Sequence, residues 1–461
     1  MKPKPFGQLN FLQILAYNLG MSAEVITLST VGLLAMPIYS MALGVNPAMV
    51  GIIFFIPRFL DAIIDPLMGY LSDNTRTKWG RRRPYLAIGG ILTGLSYMLM
   101  WCPPLFLTKT GLFAYFLIWS IIFYISLTVY IVPYYALGNE ITFDSRIRAK
   151  VMAWRNLIWG GVTLLAPWTY SLCFSPYFGK NELEGVRVVG LIFGSFVALC
   201  ALIPAIFSRE NMEIQKQPRI NFIPALKESF SNKAFLILSI VRMCANFGTG
   251  LVGPMIIYVI TYHVYKGDKS ATASLWGFVG MSWGIGAIVS APIVDYLVKS
   301  LGTKITLYIS LIAVCVGQVL SLPLITPANP YLSTIPFLFG APGIMGLFAV
   351  TSIWLADVCD YDEYLYGKRR EGMFSAVISL IFKIGTAIAT GLSGLLIAIA
   401  GISAEPGVTQ TEHAVSMLRY LYTFVPIGFV IVSAALGWFY PLNEQTMKEI
   451  KAELDKRSSK K

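Results

Sequence analysis

Apolar residues run in long blocks along almost the whole chain, and polar residues gather in short interruptions between them. Twelve blocks reach or exceed the roughly 18 residues that cross a bilayer core as a helix. They fall near 12–42, 47–72, 84–104, 111–138, 150–173, 187–207, 234–262, 272–298, 303–323, 331–356, 373–401 and 416–440. The first is far longer than the apolar core of a cleavable leader, so it is expected to remain as a span. The pattern predicts an all-α membrane protein with twelve transmembrane helices.

The longest polar stretch between blocks, 208–233, separates six spans from six. The expected organisation is an N-terminal half at 1–207, a middle loop at 208–233, a C-terminal half at 234–440 and a tail at 441–461. A pattern also recurs between the halves. Asp73 and Gly80 are followed by Arg81, Arg82 and Arg83, while Asp295 and Gly302 are followed by Thr303 and Lys304. Each copy follows the second span of its half. Two pseudo-symmetric six-helix halves with a matching loop point to the parallel repeats of the major facilitator architecture.

Composition supports this picture. Of 461 residues 56% are hydrophobic and 13% charged, and the mean hydropathy is +0.66. Soluble domains carry roughly 25% charged residues. The net charge of +12 is distributed as a topology signal. With a cytoplasmic N-terminus, 27 of the 36 Lys and Arg fall on the inner side, 6 on the outer side and 3 within spans. That bias places both termini in the cytoplasm, with the plasma (inner) membrane as the expected location, and it argues against a nucleic-acid surface. The six cysteines have no paired spacing, and His263 and His413 lie near loops. No disulfide framework, metal site, cofactor or enzymatic constellation is expected.

The charges inside spans carry the functional signal. In the second span Arg58, Asp61 and Asp65 stand at i, i+3 and i+7, on one helical face. An ionised carboxylate at a span centre costs roughly 2.5–3.5 kcal/mol, so these groups need a cavity, an ion or a cation beside them. Either Arg58 neutralises one carboxylate and the other accepts a proton or Na⁺, or Arg58 and Asp61 form a static pair and Asp65 caps the helix end. Glu24, Arg242 and Lys383 also lie within spans. Glu24 reads as an acceptor for a solute hydroxyl or as a carboxylate paired to a neighbouring helix. Lys383 reads as a partner for the second-span carboxylates or as a snorkelling side chain, and Arg242 as snorkelling or functional. Tyr130, Tyr134 and Tyr135 around Pro133, and Trp354, read as core or interfacial aromatics or as platforms for stacking on a sugar ring. The amphipathic tail reads as a solvated cytoplasmic helix that frays, with a partner-binding peptide as the alternative.

The run DAIIDPLMGYLSDNTRTKWGRRRP closely resembles the second helix and following loop of the glycoside–pentoside–hexuronide cation symporters, the melibiose permease family. LADVCDYDEYLYGKRREGMFSAVISLIFKIG and YPLNEQTMKEIKAEL extend the resemblance over essentially the whole chain. It implies symport of a sugar-like solute with H⁺, Na⁺ or Li⁺ by alternating access. It further implies a cation site at Asp61, Asp65 and Thr128, and solute contacts from Arg58, Arg155 and Lys383. Glu24, Tyr135 and Trp354 join the solute candidates. Asp73, Arg81, Arg82, Arg83 and Asp295 look like the facilitator gate, with plain topology charges as the alternative. Three departures matter. The helix IV aspartate of galactoside carriers is replaced by Ile131, and the helix I aspartate has only Glu24 nearby. The residue before Asp65, polar in Na⁺-using members, is Ile64. Na⁺ needs several oxygen ligands and H⁺ a single basic group, so a proton is favoured. The expected partners are one small solute and membrane lipids, with a monomer as the working unit. The same fold also suits a lysolipid or other amphiphile carrier, and a non-transporting sensor is a further alternative.

Overall fold

The computed structural model describes residues 9–142, 144–208, 210, 229–367 and 370–458. Every regular element among them is a helix. In chain order these are α1 (Phe11–Leu19), α2 (Met21–Ala35), α3 (Pro47–Asn74), α4 (Arg83–Met100), α5 (Lys109–Glu140), α6 (Ser145–Leu165), α7 (Thr169–Leu172) and α8 (Glu182–Phe207). There follow α9 (Lys233–Val259), α10 (Lys269–Leu324), α11 (Ile335–Tyr366), α12 (Glu371–Ile399), α13 (Glu412–Trp438) and α14 (Glu444–Ser458). Local chemistry sets many starts. Asn46, Thr108, Asp144, Asn181 and Asn232 each accept a hydrogen bond from a first-turn backbone N–H, satisfying donors that a helix leaves open.

Among the described residues nine helices are long and apolar enough to cross a membrane. One of them, α10, runs 56 residues and is broken at Gly302, whose φ of 81° is left-handed, so 269–301 and 303–324 are separate helical segments. The 18-residue α4 is shorter than the nine, yet Ile88, Ile91, Leu92, Leu95 and Leu99 form an exposed apolar stripe along it. An exposed stripe of that kind fits a hydrocarbon solvent. Its other face packs on α8 so closely that a Cβ on Gly94 would lie 2.5 Å from the Gly194 carbonyl oxygen.

The chain clusters into two compact units. One gathers the described residues of Met1–Lys216, Tyr265–Met281 and Gly394–Thr411, and the other those of Gln217–Val264, Ser282–Ser393 and Glu412–Lys461. The middle loop expected at 208–233 lies largely outside the described residues.

Two local expectations are corrected. The tenth apolar block ends at 356 in sequence, but α11 continues to Tyr366 and carries Asp357, Asp360 and Asp362 with it. The tail does not simply fray in solvent. Met447 and Ile450 of α14 are buried, and Leu454 packs partly against the same core. Lys451 Nζ lies 3.3 Å from Asp357 and 3.7 Å from Asp360, and Arg457 donates to the Tyr364 carbonyl at 3.0 Å. The i, i+3, i+7 apolar stripe of the tail docks it on the acidic end of α11, which explains why that end stays helical.

Candidate functional site

In the first unit α3 and α5 face each other through two rungs. Asp61, 5% exposed, accepts a hydrogen bond from the Thr128 hydroxyl through Oδ1, and Thr128 is fully buried. One turn away, the Arg58 guanidinium lies over the Tyr124 ring, 4.8 Å from its centroid. Arg58–Asp61 and Tyr124–Thr128 are i, i+3 and i, i+4 pairs, so each helix presents its two groups on one face. Asp61 and Glu24 both act electrostatically on Arg58. Asp65 is half-buried, one turn beyond Asp61 on α3.

Farther along the same face of α5, Tyr135 donates its hydroxyl hydrogen to Glu24 Oε2 at 2.7 Å, and Arg155 of α6 lies 5.5 Å from the Tyr135 ring centroid. Ile131, 7% exposed, sits between Thr128 and Tyr135. The first unit thus brings Glu24, Arg58, Asp61, Thr128, Tyr135 and Arg155 into one polar seam along α2, α3, α5 and α6. Tyr130 and Tyr134 serve differently. Tyr17 and Tyr134 stack at 4.6 Å and donate to each other's carbonyls at 3.0 Å, and Tyr130 donates to the Gly20 carbonyl at 2.9 Å. Their hydroxyls fasten α5 to the break between α1 and α2.

The loop after α3 is more buried than a set of surface pairs. Arg82, 4% exposed, reaches Asp73 at 2.9 Å and Glu140 at 2.8 Å, while Arg81 reaches Glu140 at 2.5 Å. Glu210 accepts the backbone N–H groups of Arg81, Arg82 and Arg83 at 2.8–3.0 Å. Arg83 turns to the α8 carbonyls of Ala205 and Ile206. Gly80 is required here twice over: its φ is 116°, and a Cβ would stand 2.5 Å from the Glu210 carboxylate. Sequence reasoning missed Glu140 and Glu210, whose available signal was an acid at the end of the fourth and sixth apolar blocks.

The second unit repeats the cap beside Gly302, and its buried ion pair lies at the end of α11, between Arg370 and Asp362 at 2.7 Å. Glu444 accepts the Thr303 N–H at 3.2 Å beside Gly302, as Glu210 does beside Gly80. Asp295, expected to act like Asp73, instead pairs within its own helix with Lys299 at 2.6 Å, both side chains exposed. Lys304 donates to the Trp438 carbonyl at 3.0 Å. Trp354 is 1% exposed, stacked on Tyr440 at 3.7 Å, and donates to Thr303 Oγ1 at 3.3 Å. One face of its ring is therefore covered by protein. The Tyr440 hydroxyl donates to the Trp354 carbonyl at 3.1 Å. Lys383 is half-buried on α12. No group of three His, Cys, Asp or Glu suited to a metal is found among the described residues.

The profile of a family described as MFS/sugar transport protein matches residues 16–444. The chain is 27% identical over 474 residues to a glucuronide carrier protein homolog of Escherichia coli (strain K12), covering 98% of this chain and 96% of the relative. It is 25% identical over 450 residues to the inner membrane symporter YicJ of the same organism, covering 97% and 95%. Its fold is similar to that of a bacterial homolog to the human lysosomal transporter Spinster in an inward-facing, unoccupied conformation. The TM-score is 0.71, at 14% identity, covering 95% of this chain and 98% of that one. The chain belongs to the MFS/sugar transport protein family, and it is a multi-pass, secondary-active, alternating-access carrier of a small organic solute rather than an enzyme.

Proposed function

We propose that the protein is a melibiose-permease-type symporter of the glycoside–pentoside–hexuronide group, which moves a sugar-like solute together with a proton. The observation that carries the reading is the buried Asp61–Thr128 bond with Arg58 one turn away. A proton needs a single basic group, whereas Na⁺ needs several oxygen ligands and Ile64, beside Asp65, supplies none from its side chain. In this reading Asp61, Asp65 and Thr128 hold the coupling ion. Glu24, Arg58, Tyr135, Arg155 and Lys383 contact the solute, and Trp354 is left to packing. Asp73, Arg81, Arg82 and Arg83, with Glu140 and Glu210, form the gate. The chain crosses the plasma membrane twelve times as two six-helix halves with both termini cytoplasmic. The solute-symporter relatives and the helix II motif support this reading.

An amphiphile carrier of the same fold is the second reading. The aromatic share of 13% favours it. Proteoliposomes screened with glycosides, pentosides, uronides and lysolipids decide between them. External alkalinisation on adding one sugar, lost in Asp65→Asn, is the expected result. A Na⁺ signal without a pH signal overturns proton coupling. Movement of lysolipid with silence to every sugar overturns the sugar reading.

A further inference from the structure

Arg242 lies nine residues into α9, roughly 14 Å along its axis at 1.5 Å per residue, inside a helix long and apolar enough to span. An arginine at that depth costs on the order of 2.5–3.5 kcal/mol on insertion scales, so the position calls for compensation. Part comes from two phenyl rings. Phe348 of α11 and Phe382 of α12 have centroids 5.4 and 6.0 Å from the guanidinium carbon. Aromatic faces attract a cation, but they do not replace a carboxylate as hydrogen-bond acceptors. Among the described residues Arg242 Nε is buried without an acceptor.

The surroundings are built rather than loose. Asn246, one turn on, donates to the Phe382 carbonyl at 3.1 Å and to Thr386 Oγ1 at 2.7 Å, fixing α9 against α12 at the level of the ring. A small pocket, lined among others by Ala245 and Ile344, begins one turn beyond Arg242 and Phe348. Trp283 and Tyr422 help line it, and among the described residues the Oε1 atom of Gln318, which also lines it, is buried without a donor. The pocket is mostly apolar with Thr249 and Gln318 as polar points, and Arg242 stands one helical turn before its first lining residue on α9.

We propose that Arg242, clamped between Phe348 and Phe382, is an anion subsite that receives a carboxylate of the carried solute. The planar guanidinium matches two carboxylate oxygens. The solute class is then an acidic sugar or an acidic glycoside rather than a neutral one. The inference rests on the glycoside reading above and narrows it.

The test uses the purified full chain in lipid nanodiscs and two matched pairs of probes: methyl β-glucuronide with methyl β-glucoside, and dodecyl β-glucuronide with dodecyl β-glucoside. Calorimetry is expected to give at least about ten-fold tighter binding of one uronide than of its neutral match, the scale of a charge-assisted contact. Arg242→Gln removes the preference by weakening the uronide alone, and Arg242→Lys keeps part of it. Unliganded melting temperatures report whether each variant folds, and the wild-type preference stands as evidence without them. Glucoside binding as tight as glucuronide binding in the wild type overturns the subsite and leaves the glycoside reading intact. So does an anion preference that survives in folded Arg242→Gln. Silence to all four probes overturns the glycoside reading and the subsite with it.

Discussion

Arg58 and Arg242 both sit deep in apolar helices, yet their company is opposite in kind. Arg58 has Asp61 on its own helix face, Glu24 within electrostatic reach and the Tyr124 ring beneath it. Arg242 has two phenyl rings and, among the described residues, no acceptor for its buried Nε. The first unit therefore holds a charge cluster that balances within the protein and needs only a small cation to change its sign. The second holds a cation whose balance has to come from elsewhere. A carrier that couples an ion to a solute needs both kinds of place, because each ligand must alter the state that the other prefers. The same contrast appears at the helix-end loops, where Asp73 joins Arg81, Arg82 and Glu140 in a half-buried network and Asp295 pairs with Lys299 in the open.

The largest effect expected is that of Asp61→Asn. Removing the acid from the balanced cluster should lower cation-driven solute accumulation in proteoliposomes by about a hundred-fold or more, near the loss of a full charge-assisted interaction, while uncoupled solute exchange persists. Retained accumulation would place the ion elsewhere. Next in size is the difference between the two arginines. Arg58→Gln strands a buried carboxylate and should cost about 3 kcal/mol. Arg242→Gln strands nothing and should lie within about 1 kcal/mol of wild type. Denaturation in micelles compares them, and equal losses would break the distinction. Thr128→Ala removes one hydrogen bond to Asp61 and should weaken the coupling ion about ten-fold, near 1.4 kcal/mol, read from the cation dependence of solute uptake. Smallest is Asp295→Asn, an exposed pair worth less than about 0.5 kcal/mol. A loss there as large as that of Glu140→Gln would erase the contrast between the loops.

Much of this was legible in the chain. Long apolar blocks announced the spans, because hydrocarbon rewards an uninterrupted apolar run whatever lies next to it. Arg58, Asp61 and Asp65 were visible through helical spacing alone. Thr128 came from resemblance, since a threonine within a span carries no periodic signal of its own. Tyr124 was within reach, four residues before Thr128 on the same face. Glu140 and Glu210 were not, because they meet Arg81 from 59 and 129 residues away, and such contacts exist only after the helices pack. The end of α11 misread for a related reason. Its acids look like loop until Lys451 and Arg457 of the tail dock on it. Trp354 looked like a sugar platform because nothing near it in sequence revealed Tyr440, 86 residues on.

The most direct test of the account is the external pH of a proteoliposome suspension when a transported glycoside is added, with wild type and Asp61→Asn side by side. The account predicts alkalinisation with the wild type and none with the variant. An equal pH rise with both proteins would contradict it.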